Sequence, residues 1–156
     1  MPQVRLMTRS NTTTPPRRLE LQVSSHPSHL ATVRKAIESF ADAHGFDSRA
    51  VAEIGLCVNE AIANIIRHAY GGNPSRPVHI AAQMEDRDGV GGRIVITLRD
   101  WGNGVDPNTL PRRAYDPLEP GGVGLICLQQ WMDEVTYAPQ PGGGMLTTLM
   151  RRRMRR

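Results

Sequence analysis

The segment from Asp47 to Gly72 constrains the fold more than any other part of this chain, because it carries one long helical pattern. Apolar residues recur there at three- and four-residue spacing, which predicts a helix with one buried stripe that ends at Tyr70 and the glycines after it. The predicted buried stripe consists of Val51, Ile54, Val58, Ile62, Ile65 and Ala69. The other side of the helix carries Glu53, Cys57, Glu60, Asn64 and Arg67. A second layer must cover the apolar stripe, and we expect a functional site on the polar side.

Glu60 and Asn64 lie four residues apart in this helix, so they are neighbours on one face. A carboxylate that can take a proton then stands beside a neutral oxygen that can hold a hard metal ion. This pair suits phosphoryl transfer from a magnesium nucleotide. Similar pairs also occur on the solvent-exposed faces of many helices, so the pair alone does not distinguish a magnesium-nucleotide site from an ordinary exposed helix face.

Patterns along the rest of the chain predict a sheet with helices on one side. Strands are predicted at residues 18–24, 78–84, 93–98, 135–138 and 145–151, and further helices at 27–44 and 123–132. Mostly hairpin-length connections among the strands favour an α/β (α+β) sandwich of two layers, in which a mixed, mostly antiparallel sheet is covered on one face by helices. Residues 105–122 contain four prolines and are expected to form an irregular cover.

The length and charge of the chain limit its possible domain organisation. A length of 156 residues with 39% hydrophobic content suits one domain, expected over residues 17–151. Residues 1–16 are polar and unpatterned, which predicts a disordered leader, and residues 152–156 are expected to form a basic tail. The net charge of +4 arises at that end, because five of the last six residues are arginine and the remainder holds 14 basic against 15 acidic residues. With aromatic residues at only 4%, direct nucleic-acid binding is not expected.

The two cysteines and the hydropathy pattern predict the compartment. Cys57 and Cys127 lie far apart in apolar helical patterns, which indicates neither a disulfide framework nor a zinc site and fits a reducing cytoplasm. Residues 1–16 lack the apolar segment of a signal peptide, and no run approaches the roughly 20 apolar residues of a membrane span. We therefore expect a cytoplasmic protein without a membrane segment.

A second motif, Asp100-Trp101-Gly102-Asn103-Gly104, follows a predicted strand. Its glycines let a planar ligand approach the backbone, and the carboxylate of Asp100 can accept a hydrogen bond from an exocyclic amine such as adenine N6. An ordinary turn at the end of a strand has the same composition and remains the alternative.

A third, glycine-rich segment at residues 121–125 opens a predicted helix, whose free N–H groups and dipole favour phosphate. Glycines that cap helices or form turns remain the alternative. The only lysine, Lys35, lies in the first helix, so a P-loop is excluded, and the characteristic segments of a eukaryotic-type protein kinase are absent. A dinucleotide-binding fold is disfavoured because Cys127 takes the position of its third glycine.

Together these segments resemble the nucleotide site of the GHKL ATPase superfamily, and most closely that of the anti-sigma-factor serine/threonine kinases. The resemblance rests on residues 59–70, 100–104, 122–125 and 132–135, and it covers about residues 17–151. It implies the GHKL fold, ATP and Mg²⁺ as cofactors, and a kinase that phosphorylates a small STAS-type anti-anti-sigma protein and sequesters a sigma factor. It also implies a homodimer.

The resemblance further implies roles for single residues. Glu60 would activate the attacking hydroxyl, and Asn64 would coordinate magnesium. Asp100 would contact adenine, with Gly102 and Gly104 giving the base room. The segment expected to bind the phosphates and hinge the cover consists of Gly122, Val123, Gly124 and Leu125.

Two features of the resemblance stay open at this point. Arg67 follows Asn64 by about one turn and faces either the phosphates or solvent. The closing strand of the family often begins with glycine and threonine near the adenine, whereas here Gly144 is followed by Met145 and Thr147 comes later.

Three other functions remain possible from the sequence. An ATP-binding partner-switch module with little or no kinase activity would need no base at Glu60. The detached catalytic domain of a histidine kinase would need a phosphoacceptor helix, which residues 1–16 are not expected to supply. A basic nucleic-acid binder would depend on residues 151–156 and on salt.

Overall fold

The computed structural model describes residues 2–7, 15–86, 91–103 and 122–154. Its helices and strands follow the order that the sequence predicts, except that one further strand precedes them. They are β1 (Gln3–Met7), β2 (Arg18–Ser24), α1 (Leu30–Ala43), α2 (Ser48–Asn64), β3 (Pro77–Asp86), β4 (Gly92–Arg99), α3 (Gly122–Trp131), β5 (Glu134–Pro139) and β6 (Met145–Arg152). A 3₁₀ turn, Pro27–His29, precedes α1, and a π-helical turn, Ile65–Ala69, follows α2. The predicted cover at residues 105–121 lies outside the described residues.

The strands form an antiparallel sheet in the order β1-β2-β3-β4-β6-β5. The long connection from β4 to β6 carries α3 and β5, and β6 then inserts between β4 and β5. The core cluster joins buried residues of the helices to one set of alternate residues in the central strands. This arrangement confirms the predicted two-layer sandwich with helices on one face of the sheet.

Strand register aligns the core residues in rows across the sheet. Leu21 of β2 is paired with Ile80 of β3, which is paired in turn with Leu98 of β4. All three side chains are at most 2% exposed. Because side chains alternate between the faces of a strand, this register places every second residue against the helices. Fully burying one such aliphatic side chain contributes about 1.5–3 kcal/mol.

Helix α2 packs its apolar stripe into this core, as predicted. Its N-terminus is fixed by Asp47, whose side chain accepts a hydrogen bond from the Ala50 N–H at 2.8 Å. Such a cap satisfies one of the unpaired donors of the first turn. The buried members of the predicted stripe are Ile54, Val58, Ile62, Ile65 and Ala69, and Val51 is half-buried. The cap and the buried stripe together fix the orientation of α2 relative to the sheet.

The polar stripe predicted for α2 is wrong at Cys57, which is fully buried. The third helix packs over that side of α2, and the Cys57 thiol donates to the carbonyl oxygen of Cys127 at 3.6 Å. Burial raises the pKa of the Cys57 thiol to about 12. Both cysteines are free thiols. Reasoning from one helix could not include this contact, because it depends on a second helix about 70 residues later in the chain.

The prediction of a disordered leader is wrong for residues 3–7, which form β1 on the edge of the sheet beside β2. Gln3, Val4 and Arg5 are exposed, so this strand adds little to the core. Backbone hydrogen bonds to an open edge need no apolar pattern in the side chains. Val4 and Leu6 alternate with Gln3 and Arg5, but an alternation this short does not by itself predict a strand.

The basic end of the chain is also more ordered than predicted. Arg152 belongs to β6, and the guanidinium of Arg153 donates to the carbonyl oxygen of His44 at 2.6 Å. Arg153 also lies 3.5 Å from Asp86, which accepts a hydrogen bond from Arg17 at 2.7 Å. These contacts tie both ends of the domain to the β3–β4 hairpin. Among the helices that the structure describes, none is long and apolar enough to cross a membrane.

Candidate functional site

A cleft opens where α2 ends beside the sheet. Its walls come from the end of α2 and the turn after it, from α3, and from the ends of β4, β5 and β6. The lining residues are Ala61, Asn64, Ile65, His68, Ala69, Asp100, Leu128, Tyr137, Met145 and Thr147. A cleft that is mostly apolar with a few polar groups is typical of a site for a small ligand.

The structure brings Asn64 and Asp100 together in this cleft, although 35 residues separate them in the chain. Asn64 is the last residue of α2, and its side-chain oxygen accepts a hydrogen bond from the Arg67 guanidinium at 2.9 Å. Arg67 is exposed. In this state, therefore, the proposed metal ligand is engaged by a nearby cation.

Glu60 is half-buried one turn before Asn64 and is not among the residues that line the cleft. Burial raises the pKa of the Cys127 thiol, and the Glu60 carboxylate adds to that shift. The Glu60 side chain thus lies on the side of α2 that faces α3. Glu53, from the same polar stripe, instead forms an ion pair with Arg151 of β6 at 2.6 Å.

Asp100 is 2% exposed and lies in a loop whose backbone is held at each residue. The Asp100 N–H donates to Met145 O at 3.0 Å, and the Trp101 N–H to the Tyr70 hydroxyl at 2.9 Å. The Gly102 N–H donates to the Asp100 carboxylate at 3.0 Å. The Asn103 N–H donates to Ala69 O at 3.3 Å. A carboxylate has about four lone-pair sites, so Asp100 can accept a further bond from a ligand.

Two glycines allow this loop to approach its neighbours closely. A Cβ on Gly102 would meet the backbone of Ala69, and a Cβ on Gly144 would meet the backbone of Asp100. Gly144 has φ of +79°, a conformation that favours glycine. Gly102 therefore packs closely against the helix end, a contact that its predicted role of giving adenine room does not include. Gly104 lies outside the described residues.

Sequence reasoning missed three polar or aromatic residues of the cleft. His68 follows Asn64 by four residues, and that spacing could have placed it on the same face. Thr147 is buried, 6% exposed, and stands two residues after Met145, so strand alternation turns both toward the cleft. Tyr137 pairs with Thr147 across β5 and β6, and burial raises the pKa of its hydroxyl. Only the pairing of these strands in the sheet brings Tyr137 to the site.

The segment Gly122–Leu125 forms the first turn of α3, as predicted. Leu128, one turn later, lines the cleft. The start of α3 therefore lies next to the cleft along the same helix. Free N–H groups and the dipole at such a helix start favour an anionic group.

The oxygen ligands of the cleft suit a magnesium ion that is bound mainly by the phosphates of a nucleotide. Among the residues with described positions, no group of three or more His, Cys, Asp or Glu side chains is placed to hold a metal ion. Magnesium commonly binds one or two protein oxygens together with substrate phosphates and water. The carboxamide oxygen of Asn64 meets that requirement.

The chain is similar to proteins of known family. The model of the histidine kinase-like ATPase domain matches residues 23–150. The serine-protein kinase RsbW of Oceanobacillus iheyensis is 29% identical over 133 residues, which are 80% of this chain and 80% of that protein. The anti-sigma F factor of the same organism is 31% identical over 136 residues, 83% of this chain and 90% of that protein.

A solved structure has the same fold. The crystal structure of the RsbU and RsbW domains of Rv1364c from Mycobacterium tuberculosis matches with a TM-score of 0.64 at 20% identity. The match covers 91% of this chain and 34% of that one. At this identity the likeness concerns the fold alone.

Proposed function

The chain belongs to the family of histidine kinase-like ATPase domains, and from that premise we propose that it is an anti-sigma-factor serine/threonine protein kinase. It binds Mg-ATP, transfers the γ-phosphoryl group to a serine or threonine of a STAS-type anti-anti-sigma protein, and sequesters a sigma factor. Relatives named as a serine-protein kinase and as an anti-sigma factor support both activities.

The meeting of Asn64 and Asp100 in one cleft is the observation that carries this proposal. A buried carboxylate suits the adenine amine, and a carboxamide oxygen at the end of α2 suits the metal. The apolar surfaces of Ile65, Leu128 and Met145 suit the faces of a planar base. Glycines 122 and 124 lie in the helix start that is assigned to the phosphates.

Glu60 is the residue to which we assign the base. One turn before Asn64, it would accept the proton of the attacking hydroxyl, while Asn64 orients the nucleotide through the metal. Bound magnesium supplies positive charge that offsets the charge developing on the transferred phosphoryl group. Arg67, which donates to Asn64 in this structure, would be free to approach the phosphates if Asn64 held a metal ion instead.

Transfer of label from γ-³²P-ATP to a STAS-type protein tests this assignment. We expect Glu60→Gln to keep its affinity for Mg-ATP and to lose about 10²- to 10⁴-fold of the transfer rate, as is typical when a general base is removed. Glu53→Gln is the matched control on the same helix, because the Glu53 carboxylate is held in an ion pair with Arg151 of β6. A Glu60→Gln protein that transfers label at the rate of the wild type would contradict the role of Glu60.

A second candidate function is an ATP-binding partner switch with little or no kinase activity. The position of Glu60 outside the cleft lining favours it. In that case wild type would bind Mg-ATP and the partner proteins, and no label would reach any STAS-type protein.

The remaining assignments concern assembly and compartment. We propose a homodimer, which light scattering would detect as twice the chain mass of 17.2 kDa. We also propose a cytoplasmic location, since the free thiols Cys57 and Cys127 suit a reducing compartment. Direct contact with nucleic acid is not part of the proposal.

A further inference from the structure

One buried side chain, Tyr70, joins the end of the α2 helical region to the loop that follows β4. Its hydroxyl donates to the carbonyl oxygen of Pro77 at 2.5 Å and accepts from the Trp101 N–H at 2.9 Å. Tyr70 is 8% exposed, and burial raises the pKa of the hydroxyl, which therefore stays protonated at neutral pH. Both of its hydrogen bonds connect backbone groups that are far apart in sequence.

The π-helical turn determines where this hydroxyl lies. The Tyr70 N–H donates to Ile65 O at 3.0 Å, five residues back, so the turn contains more residues than an α-helical one. Its last residue, Ala69, accepts the Asn103 N–H. Two consecutive residues at the end of the turn thus hold two backbone N–H groups of the loop, on either side of Gly102.

Arg76 reinforces the same junction. Its guanidinium donates to the carbonyl oxygen of Trp101 at 2.8 Å and lies over the ring of Tyr70, 5.0 Å from the centroid. The backbone of Trp101 is therefore held at both its N–H and its carbonyl group. Such doubly held backbone has little freedom to shift.

The orientation of the Asp100 carboxylate depends on this junction. The carboxylate accepts a hydrogen bond from the Gly102 N–H, and Gly102 lies between the two residues that Tyr70 and Ala69 hold. If Trp101 is released, the Gly102 N–H moves and the carboxylate loses its fixed direction. A carboxylate that recognises the adenine amine needs that direction, because a hydrogen bond weakens steeply when it is misaligned.

We propose that Tyr70 is a positioning residue for adenine recognition, whose hydroxyl holds the Trp101 N–H and thereby keeps the Asp100 carboxylate in the direction that the adenine amine needs. The inference rests on the proposed nucleotide site. It assigns to the tyrosine a role in selecting the base, in addition to its contribution to the fold.

The test compares ATP with purine riboside triphosphate, which is ATP without the 6-amino group, on wild type and Tyr70→Phe. Isothermal titration in excess magnesium gives both affinities, and Mg-tripolyphosphate serves as a ligand without a base. We expect Tyr70→Phe to bind ATP about 5- to 10-fold more weakly, the scale of one lost hydrogen bond. Its affinities for purine riboside triphosphate and tripolyphosphate should stay close to those of wild type, so the preference for the 6-amino group falls.

Ser25→Ala is the matched control. The buried Ser25 hydroxyl donates to Asn73 O at 2.5 Å and accepts from the Arg76 N–H at 3.1 Å, close to the same junction, but it bonds to none of residues 100–103. We expect this variant to lose thermal stability and to keep the preference of wild type for the 6-amino group.

The outcomes separate the inference from the proposed function. An unchanged preference in Tyr70→Phe overturns the inference, and so does an equal loss of affinity for all three ligands, which would mean a general structural role. If wild type binds neither nucleotide, the proposed function fails and the inference fails with it. A preference that falls in Tyr70→Phe and persists in Ser25→Ala supports both.

Discussion

Alanine at Gly144 should disturb the adenine side of the cleft through the backbone. Gly144 has φ of +79°, and a Cβ there would lie 2.6 Å from the Cα of Trp101 and 2.7 Å from the carbonyl carbon of Asp100. These are backbone atoms that cannot rotate away. Gly143, its neighbour, has φ of +87° and no atom within 4 Å of an added Cβ. The two alanine variants therefore share the conformational cost and differ in the clash.

The size of each effect follows from this difference. A residue with a side chain loses about 1–2 kcal/mol in the left-handed conformation, and this is the whole cost expected for Gly143→Ala. An added methyl in a packed region costs about 1–3 kcal/mol more, so Gly144→Ala should lose about 2–5 kcal/mol of unfolding free energy. Because the displaced backbone carries Asp100, we expect its ATP affinity to fall at least about tenfold, which corresponds to about 1.4 kcal/mol.

Urea unfolding measures the stabilities, and titration with Mg-ATP measures the affinities. Gly143→Ala should bind ATP like wild type despite its lower stability. The reasoning fails if the two variants have the same stability and the same ATP affinity, since the approach of Gly144 to Asp100 would then have no consequence.

Two further perturbations follow from the described contacts. Arg67→Ala frees the Asn64 carboxamide oxygen. Half-maximal ATP binding should then need about two- to fivefold less magnesium, which corresponds to the free energy of one exposed hydrogen bond. An unchanged magnesium requirement would mean that the contact between Arg67 and Asn64 does not compete with the metal. Burial acts to raise the pKa of Glu53, but hydrogen bonds from Arg151 and Arg49 outweigh it and leave that pKa below its ordinary value. The resulting stabilisation is present above the unfolded pKa of about 4.3 and is lost as pH falls through the folded pKa. The unfolding free energy of wild type should therefore exceed that of Glu53→Gln by about 1 kcal/mol at pH 7, and this difference should disappear below about pH 4. A difference in unfolding free energy that does not change with pH would contradict this.

The sequence predicted the elements of the domain well, because each one has a local pattern. The alternation at Arg18–Ser24 matches β2 to the residue, and the long periodic segment after Asp47 became α2 with its cap. Asn64 and Asp100 are predicted site residues from two separate motifs, and the fold places both in the same cleft.

The features that the sequence did not predict all depend on contacts between distant segments. The strand at Gln3–Met7 forms by pairing with the edge of β2, and its short alternation of polar and apolar residues does not by itself predict a strand. Cys57 is buried by a later helix, and Tyr137 reaches the cleft only because β5 pairs with β6. The π-helical turn that places Tyr70 has no signature in the spacing of its apolar residues.

The most direct test of the nucleotide site is thermal unfolding of wild type with ATP and magnesium supplied together and separately. Binding at about 100 times the dissociation constant adds about 2.7 kcal/mol, which corresponds to a rise in Tm of about 5–10 °C for a chain of this length. We expect that rise with Mg-ATP, a much smaller one with ATP in EDTA, and none with magnesium alone. The same rise with and without magnesium, or no rise with any combination, would contradict a Mg-ATP site formed by Asn64 and Asp100.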